Sequence, residues 1–160
     1  MPRLSEEKQN AAPFGSSNAS IDDKGRIKLS AVLQKFIQGQ PDGRLYVTTI
    51  EENVLAIYPA EVWQHNMTVM QEEFDDPYAA ETINFLANAM GASSEMDSQG
   101  RILIPSKLRE ELDLASESLK AVCYKGRIDV MRESVFSLKV KEALERQPAM
   151  LPLLKRKNFI

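Results

Sequence analysis

Two short motifs carry the side chains with the clearest chemical potential in this sequence. An aspartate lies four residues before an arginine twice, in Asp22 to Arg26 and in Asp97 to Arg101. A guanidinium can donate two parallel hydrogen bonds to a phosphate or to a guanine base in the major groove. The same guanidinium can instead pair with the aspartate and fix the register of a turn. The motif therefore indicates either recognition of a polyanion or a structural ion pair, and the two roles can coexist.

Other groups that could catalyse a reaction or bind a metal are sparse. The chain has one cysteine, Cys123, and one histidine, His65, so neither a Cys and His zinc site nor an internal disulfide can form. His65 lies in no recognisable nucleophile setting. Cys123 lies in an apolar strand pattern that is typical of a core residue. We therefore expect no catalytic residue, no metal and no cofactor.

The composition is that of an ordinary folded protein, but its charge is unevenly distributed. The 160 residues are 43% apolar and 27% charged, with a net charge of −3. Residues 62–91 contain no Lys or Arg and carry −5, whereas residues 137–160 carry +4. The net charge is consequently a poor guide to what any one surface binds. With one cysteine, no long apolar run and no apolar core at the start of the sequence, we expect a cytoplasmic protein without a membrane span.

An internal repeat organises the chain. A shift of 75 residues places 20–34 over 95–109 with five identities in 15 positions, where average composition gives about one. Each copy predicts a β-hairpin with Gly25 or Gly100 at a left-handed turn position, then a short helix (30–37 or 106–112) and a second hairpin. Alternation predicts that Ile27 and Ile102 point inward. One copy is too small to bury a good core alone, so the two should complete one sheet.

Changes in composition divide the chain into five segments. The acidic segment predicts two helices, over 59–74 and 77–90, with Asp76 as an N-cap. Trp63 and Phe136 occupy corresponding places after the last strand of each copy and are expected to anchor the core. The full division is a mobile N-terminal arm (1–15), a first repeat (16–61), a helical connector (62–91), a second repeat (92–136) and a C-terminal helix or tail (137–160).

The doubled motif carries a family likeness. Two Asp-x-x-x-Arg motifs, each within Gly-Arg-Ile, with Ile-Pro-Ser-Lys-Leu-Arg-Glu at 104–110 after the second, resemble the MraZ family of bacterial transcriptional regulators. The similarity runs from about residue 14 to residue 136 and includes Phe14-Gly15 and the run 58–63. The resemblance implies an α+β fold, a pseudo-twofold swapped-hairpin β-barrel formed by two SpoVT-AbrB-type repeats with a helical connector.

Function also follows as an implication of this resemblance. The family pattern implies a non-enzymatic regulator, a repressor of the division and cell-wall gene cluster, that binds short repeated boxes in double-stranded promoter DNA. It implies assembly into a homo-oligomeric ring and a nucleoid-associated, cytoplasmic location. A ring multiplies weak contacts from single protomers when the boxes lie at matching intervals.

The resemblance further implies which residues contact DNA. The AbrB-type pattern uses basic residues of the hairpin and of the following helix, and it supports them with a turn motif. Transferred to this sequence, the DNA-binding set is Lys24, Arg26, Lys28, Arg101, Lys107 and Arg109, and the structural motif is Asp22, Gly25, Asp97 and Gly100.

Several positions depart from the family pattern. Gln34 stands where the second copy has Arg109, so we expect Arg26→Ala to weaken DNA binding less than Arg101→Ala. Ser30 stands where a proline is expected, and the connector lacks the basic residues expected of the family. Leu103 occupies an outward position, which favours a subunit contact there.

Other interpretations compete with DNA binding. The net charge and the acidic connector favour an oligomeric protein-interaction module that has lost DNA binding. A hydrolytic enzyme using Asp22 and Asp97 is disfavoured because no nucleophile or metal-binding constellation accompanies them. Lys107 and Arg109 could equally form a solvated helix face, with Arg109 near Asp113. The basic run at 155–157 could touch DNA or belong to a packing tail.

Overall fold

The computed structural model describes residues 12–72 and 75–160, which form eight strands and five helices. Most of the predicted N-terminal arm, residues 1–11, lies outside the described residues. The elements in chain order are β1 (Ser16–Ile21), β2 (Arg26–Lys28), α1 (Ala31–Gln38), β3 (Arg44–Glu51), β4 (Val54–Pro59), α2 (Ala60–Gln71), α3 (Pro77–Met90), β5 (Ala92–Glu95), β6 (Arg101–Leu103), α4 (Ser106–Leu112), β7 (Leu119–Tyr124), β8 (Arg127–Arg132) and α5 (Glu133–Lys155).

The strands form one antiparallel sheet that nearly closes on itself. Their order is β5-β3-β4-β8-β7-β1-β2-β6, so β5 and β6 lie at the two edges. These edges meet through a bridge between Met96 and Ile102 and through Ser94 Oγ, which donates to the Leu103 carbonyl oxygen at 3.0 Å. A closed sheet leaves few unpaired backbone groups at its edges. The predicted α+β barrel is confirmed.

Strands of the first repeat pair with strands of the second repeat at four places around this barrel. β1 of the first repeat pairs with β7 of the second, and β5 of the second repeat pairs with β3 of the first. β2 pairs with β6, and β4 pairs with β8. Strands that correspond in the two repeats therefore meet on two opposite sides of the barrel. This pattern has the pseudo-twofold symmetry expected from the sequence repeat. Neither repeat completes its sheet with its own strands.

Alternation along the strands separates the barrel interior from its surface. Ile27 and Ile102 face each other across β2 and β6 and are fully buried, whereas Lys28 and Leu103 beside them are exposed. The two short helices add leucines to the same core, and the buried apolar cluster spans both repeats. It contains Ile27, Leu29, Leu33, Phe36, Ile37, Leu45, Val47, Leu55, Ile57, Ile102, Ile104, Leu108, Leu112, Leu114, Leu119, Ala121, Ile128 and Val130.

The connector helix α3 is anchored on strand β3. Its N-terminus is capped as predicted, because Asp76 Oδ1 accepts from the amide of Tyr78 at 3.1 Å and from the next amide at 3.2 Å. At the other end, the Ala87 carbonyl oxygen accepts from Tyr46 Oη and from Thr48 Oγ1, both at 2.8 Å. Ala87 is also fully buried. These contacts place the acidic segment against the outside of the barrel.

Two expectations for the connector region require correction. The helix expected to run to Phe74 ends at Gln71, because Glu72 has extended backbone angles, and Phe74 lies outside the described residues. Trp63 is half-buried rather than part of the core, and its ring stacks on that of Tyr46 with 4.8 Å between centroids.

Phe136 is likewise half-buried, in α5. The Nζ atom of Lys120 lies 5.9 Å from the centroid of its ring. Both aromatic residues therefore cover the barrel from outside, where the helix that follows each repeat begins.

The C-terminal helix α5 spans 23 residues and has no buried side chain. It contains Pro148 and Pro152, which cannot donate the helical hydrogen bonds to the carbonyls of Leu144 and of Pro148 itself. Exposed apolar residues follow its length, including Leu144 and Leu153. None of the helices in the described ranges combines the length and apolarity needed to cross a membrane.

Adjacent substitutions in β6 test which face is buried. We expect Ile102→Ala to lower the free energy of unfolding by about 2–5 kcal/mol, because it leaves a cavity at a fully buried site. The matched control Leu103→Ala, at a residue that is 57% exposed, should cost less than about 1 kcal/mol. Urea denaturation followed by circular dichroism measures both. Equal losses would contradict the strand register.

Candidate nucleic-acid interface

The first Asp-x-x-x-Arg motif forms the turn between β1 and β2. The amide of Gly25 donates to the Asp22 carbonyl oxygen, and the amide of Asp22 donates to the Arg26 carbonyl oxygen, both at 3.0 Å. Gly25 has φ +80°, a backbone angle that residues with a Cβ adopt only with strain. The glycine is therefore required for the turn that brings the aspartate and the arginine together.

The Asp22 carboxylate organises this turn. Its Oδ1 atom accepts from the amides of Lys24 at 3.0 Å and Arg26 at 2.9 Å, and its Oδ2 atom accepts from Arg26 Nε at 2.7 Å. The Arg26 amide is the main cause that lowers the pKa of Asp22 below its usual value, and the guanidinium adds to the shift. The carboxylate is thus ionised at neutral pH and holds Arg26 through Nε.

The second motif repeats this geometry. Asp97 accepts from the amides of Gln99 and Arg101 and from Arg101 Nε, each at 2.9 Å. The Arg101 amide is again the first cause of a lowered Asp97 pKa. Gly100 has φ +77° at the equivalent position. Within the described parts of the chain, the Nη groups of both motif arginines have no recorded acceptor, so each is available to a ligand.

Strand pairing places both arginines on one surface. In the β2–β6 pair, Lys28 lies opposite Arg101 and Arg26 lies opposite Leu103. Ile27 and Ile102 between them point into the core, so these four side chains point outward. We call this surface the β2–β6 face and define it by Arg26, Lys28, Arg101 and Leu103. Two motifs that are 75 residues apart in sequence are therefore adjacent in the fold.

Lys24 and Lys107 lie outside the β2–β6 face in different ways. Lys24 is exposed in the turn two residues before Arg26, where it adds a positive charge beside the face. Lys107 is exposed on α4, but its Nζ atom donates to the Ala89 carbonyl oxygen at 3.0 Å. That carbonyl belongs to the last turn of α3, where a cation is favoured. Lys107, one of the six residues predicted to contact DNA, therefore has its ammonium group hydrogen-bonded to the connector helix α3.

Arg109 lies in a place that its sequence position does not suggest. Its guanidinium occupies the space where a Cβ of Gly25 would project, so it covers the turn of the first repeat rather than the turn beside Arg101. The expected ranking of Arg26→Ala and Arg101→Ala assumed that Arg109 supports its own repeat. The pairing of β2 with β6 contradicts that assumption. Helix α4 follows β6, which pairs with the hairpin of the first repeat, so Arg109 reaches the turn of that repeat.

Gln34 also belongs to this site, although its place in the sequence does not indicate a contact there. Its side-chain amide occupies the space where a Cβ of Gly100 would project, which is the counterpart of the Arg109 contact on Gly25. The available signal was the repeat itself, which aligns Gln34 with Arg109. Only the strand exchange shows that both residues reach across to the other copy.

The sequence of this chain is similar to those of a known protein family. Residues 14–84 and 89–131 match the MraZ protein family, whose description adds that it is antitoxin-like. A protein called Transcriptional regulator MraZ in Acidobacterium capsulatum is 30% identical over 112 residues, which cover 64% of this chain and 70% of the relative. Its namesake in Syntrophobacter fumaroxidans is 33% identical over 109 residues, covering 67% and 71%.

A third relative of the same name, in Burkholderia vietnamiensis, is 33% identical over 103 residues, covering 64% of this chain and 70% of the relative. The fold and the paired arginine turns define a two-repeat swapped-hairpin protein. The chain belongs to the MraZ family of transcriptional regulators. This family is not one of enzymes, so the hydrolytic alternative for Asp22 and Asp97 is set aside.

Replacement of both motif aspartates by asparagine tests their charge. The folded-state pKa of each carboxyl lies below the ordinary value of 3.8. The ionised carboxylates therefore stabilise the fold fully above that value, and their contribution disappears as the pH falls through the lower folded-state pKa. The double variant carries Asp22→Asn and Asp97→Asn, which remove the charge while the side-chain carbonyl can still accept the backbone hydrogen bonds.

We expect the free energies of unfolding of the native and doubly substituted proteins to differ at about pH 6. The difference should shrink as the pH falls below 3.8 and through the lowered pKa of each carboxyl. Urea denaturation across that range measures the difference. If the gap were the same at both ends, the aspartates would act through packing or hydrogen bonding alone, and the ion pairs would contribute nothing to stability.

Proposed function

We propose that this protein binds double-stranded promoter DNA in a sequence-specific manner through the β2–β6 face, as a homo-oligomeric ring. In this proposal it represses the division and cell-wall gene cluster from short repeated boxes. The observation that carries the proposal is the convergence of Arg26, Lys28 and Arg101 on the outer face of one strand pair. The family membership supports a regulatory role.

The chemistry of the two arginines suits recognition of bases or phosphates. Each is held at Nε by an ionised aspartate, and its Nη groups have no hydrogen-bond acceptor among the described residues. A guanidinium oriented in advance loses less side-chain entropy when it binds. Bidentate contact with a guanine contributes about 1–3 kcal/mol of discrimination against the wrong base. The Asp–Arg pairs thus serve the turn and the ligand together.

The shape of the β2–β6 face suits the major groove of duplex DNA. That groove admits a two-stranded β-ribbon, and β2 and β6 form such an antiparallel pair with three residues each. Lys24 and Lys28 add positive charge. The amide of Lys24 donates to Asp22, but among the described residues neither lysine's ammonium group donates to an aspartate. Leu103 is on the same face, where it can contact a thymine methyl group, so its predicted subunit contact would compete with DNA.

A ring compensates for the few cations that each protomer offers. Every phosphate contact is a modest, salt-sensitive contribution, and linked copies bind neighbouring boxes at high effective concentration. Self-association is supported by opposite charges on two exposed regions. The groove between α2 and α3 is lined by Glu72, Asp75 and Glu81, whereas the end of α5 and the residues after it carry the basic run 155–157.

An oligomeric interaction module without DNA binding is the alternative, and it rests on the same acidic connector and the net charge of −3. The two functions differ in one measurable property, which is salt-dependent retention of promoter DNA. A module would assemble but would leave the mobility of DNA unchanged at low salt.

Arginine substitutions on the β2–β6 face should weaken DNA binding. We expect Arg26→Ala and Arg101→Ala each to raise the Kd for the promoter duplex about 5- to 100-fold and to reduce the salt slope by about 1 if the contact is to a phosphate. The two losses should be similar, because each arginine has one lysine beside it: Lys28 lies opposite Arg101, and Lys24 is two residues from Arg26 in the turn. Fluorescence anisotropy at several salt concentrations measures the affinity.

The matched control is Arg146→Ala, which removes the same side chain from the exposed surface of α5. It should leave affinity within about twofold of the native protein. A random-sequence duplex of equal length reports the non-specific component. Native protein that binds neither duplex at low salt would eliminate the DNA proposal in favour of the interaction module.

Charge reversal tests the proposed subunit contact. The variant Lys155→Glu, Arg156→Glu and Lys157→Glu reverses the basic run, and it should form smaller assemblies than the native protein. The reversed run then repels the acidic groove between α2 and α3 of a neighbouring protomer. Adding Glu72→Lys, Asp75→Lys and Glu81→Lys to that variant should restore the mass. Light scattering after size-exclusion chromatography measures both variants, with Lys141→Glu as a single-charge control. Failure of the second set to restore assembly would contradict this pairing.

A further inference from the structure

The turns that carry the motif arginines are each covered by a side chain from the other repeat. The guanidinium of Arg109, on α4, lies against the open side of Gly25, and the amide of Gln34, on α1, lies against the open side of Gly100. Both glycines are buried, although the turns that contain them are at the surface. Each covering side chain therefore contributes to the burial of the glycine beneath it.

The guanidinium of Arg109 has one donor that is withdrawn from solvent. Its Nε atom is buried and has no acceptor among the described residues. Burial of this unsatisfied donor costs free energy, and it removes the Nε atom from any contact with a phosphate. The Cζ, Nε and Nη1 atoms all lie where a Cβ of Gly25 would project, so the guanidinium packs on the turn of the first repeat.

The comparison of the two repeats shows which property of the covering side chain matters. Gln34 is neutral and Arg109 is charged, yet they make equivalent contacts on equivalent glycines. Gln34 Nε2 also donates to the Leu29 carbonyl oxygen at 2.7 Å, which fixes its amide over the turn. The two residues share a long side chain with a flat polar end, and they do not share a charge.

The covered turns are directly connected to the β2–β6 face. The Gly25 carbonyl oxygen accepts from the amide of Ile104 at 2.9 Å, two residues before α4 begins. Arg26 follows Gly25 in the chain, so a rotation of the turn would change the direction of the Arg26 guanidinium. A side chain that fixes Gly25 therefore fixes the donor that the proposed function uses.

We propose that Arg109 and Gln34 are positioning residues that hold the DNA-contacting turn of the opposite repeat, and that Arg109 does not itself contact DNA. This inference rests on the proposed function of the β2–β6 face. It reassigns Arg109, which the family pattern places among the DNA contacts. It also makes each repeat responsible for the orientation of the other repeat's arginine.

The repeat supplies a conservative substitution that separates the two roles of Arg109. Arg109→Gln installs the residue that the first repeat uses at the same place, which keeps the flat polar end and removes the charge. We expect Arg109→Gln to bind promoter DNA within about twofold of the native protein with an unchanged salt slope. Arg109→Ala should bind about five- to tenfold more weakly, because the Gly25 turn loses its cover.

Combination with the motif arginines shows which turn each residue serves. If Arg109 acts through Arg26, Arg109→Ala should have little further effect in an Arg26→Ala background and a full effect in an Arg101→Ala background. Gln34→Ala should show the opposite dependence, with its effect absent only in the Arg101→Ala background. A role limited to global stability would not follow this pattern.

Direct contact with phosphate would give different results. Arg109→Gln would then lose as much affinity as Arg109→Ala, the salt slope would fall by about 1, and the loss would add to that of Arg26→Ala. Those outcomes would overturn the inference. Urea denaturation identifies any variant that fails to fold, and Gln34→Ala then tests the same mechanism at the second turn.

A measurement without DNA distinguishes failure of this inference from failure of the proposed function. In ¹H–¹⁵N spectra, Arg109→Ala should shift the Gly25 amide and the Arg26 Nε–H signal, whereas Arg109→Gln should leave both close to their native positions. Glu110→Gln, at the exposed neighbouring residue, is the control for substitution on α4. Unmoved signals in Arg109→Ala would reject the positioning role even if the native protein binds no DNA.

Discussion

The pairing of β2 with β6 is the constraint on which both the core and the candidate interface depend. Burial of Ile27 and Ile102 fixes the register of this pair, and that register directs Arg26 and Arg101 outward. A shift of one residue would turn every side chain to the other face, which would expose the isoleucines and bury lysine and arginine. The apolar contact inside the barrel therefore maintains the arrangement of charge outside it.

Local geometry also explains how an acidic protein can carry a candidate DNA-binding surface. The connector contains no Lys or Arg and carries a net charge of −5, and it packs on β3 through Ala87. Asp22 in the β1–β2 turn and Asp97 in the β5–β6 turn are used internally, since they accept backbone and guanidinium hydrogen bonds. Their charge orients the arginines instead of simply repelling a polyanion. The distribution of charge among surfaces, rather than its sum, decides which ligand each surface can bind.

Features set by short stretches of chain could be predicted from the sequence. The glycine turns, the inward isoleucines, the N-cap at Asp76 and the helix over 106–112 all follow from local patterns of residue type. Contacts made across the exchanged repeats could not be predicted in the same way. The covering of Gly25 by Arg109 and the hydrogen bond from Lys107 to Ala89 depend on how strands and helices meet in space. Periodicity reports which face of an element is apolar, but it contains no distance to a residue in another element.

The exchanged pairing has a consequence for how the protein is made. Ser16 pairs with Val122, so β1 leaves the ribosome about a hundred residues before its partner strand. At a synthesis rate of about 5–20 residues per second, β1 is without its partner strand β7 for roughly 5–20 s. During this interval the nascent first repeat has exposed strand edges that could pair with a neighbouring nascent chain. The barrel can close only after β7 and β8 have been synthesised, which makes completion of the second repeat the event that protects the first from misassembly.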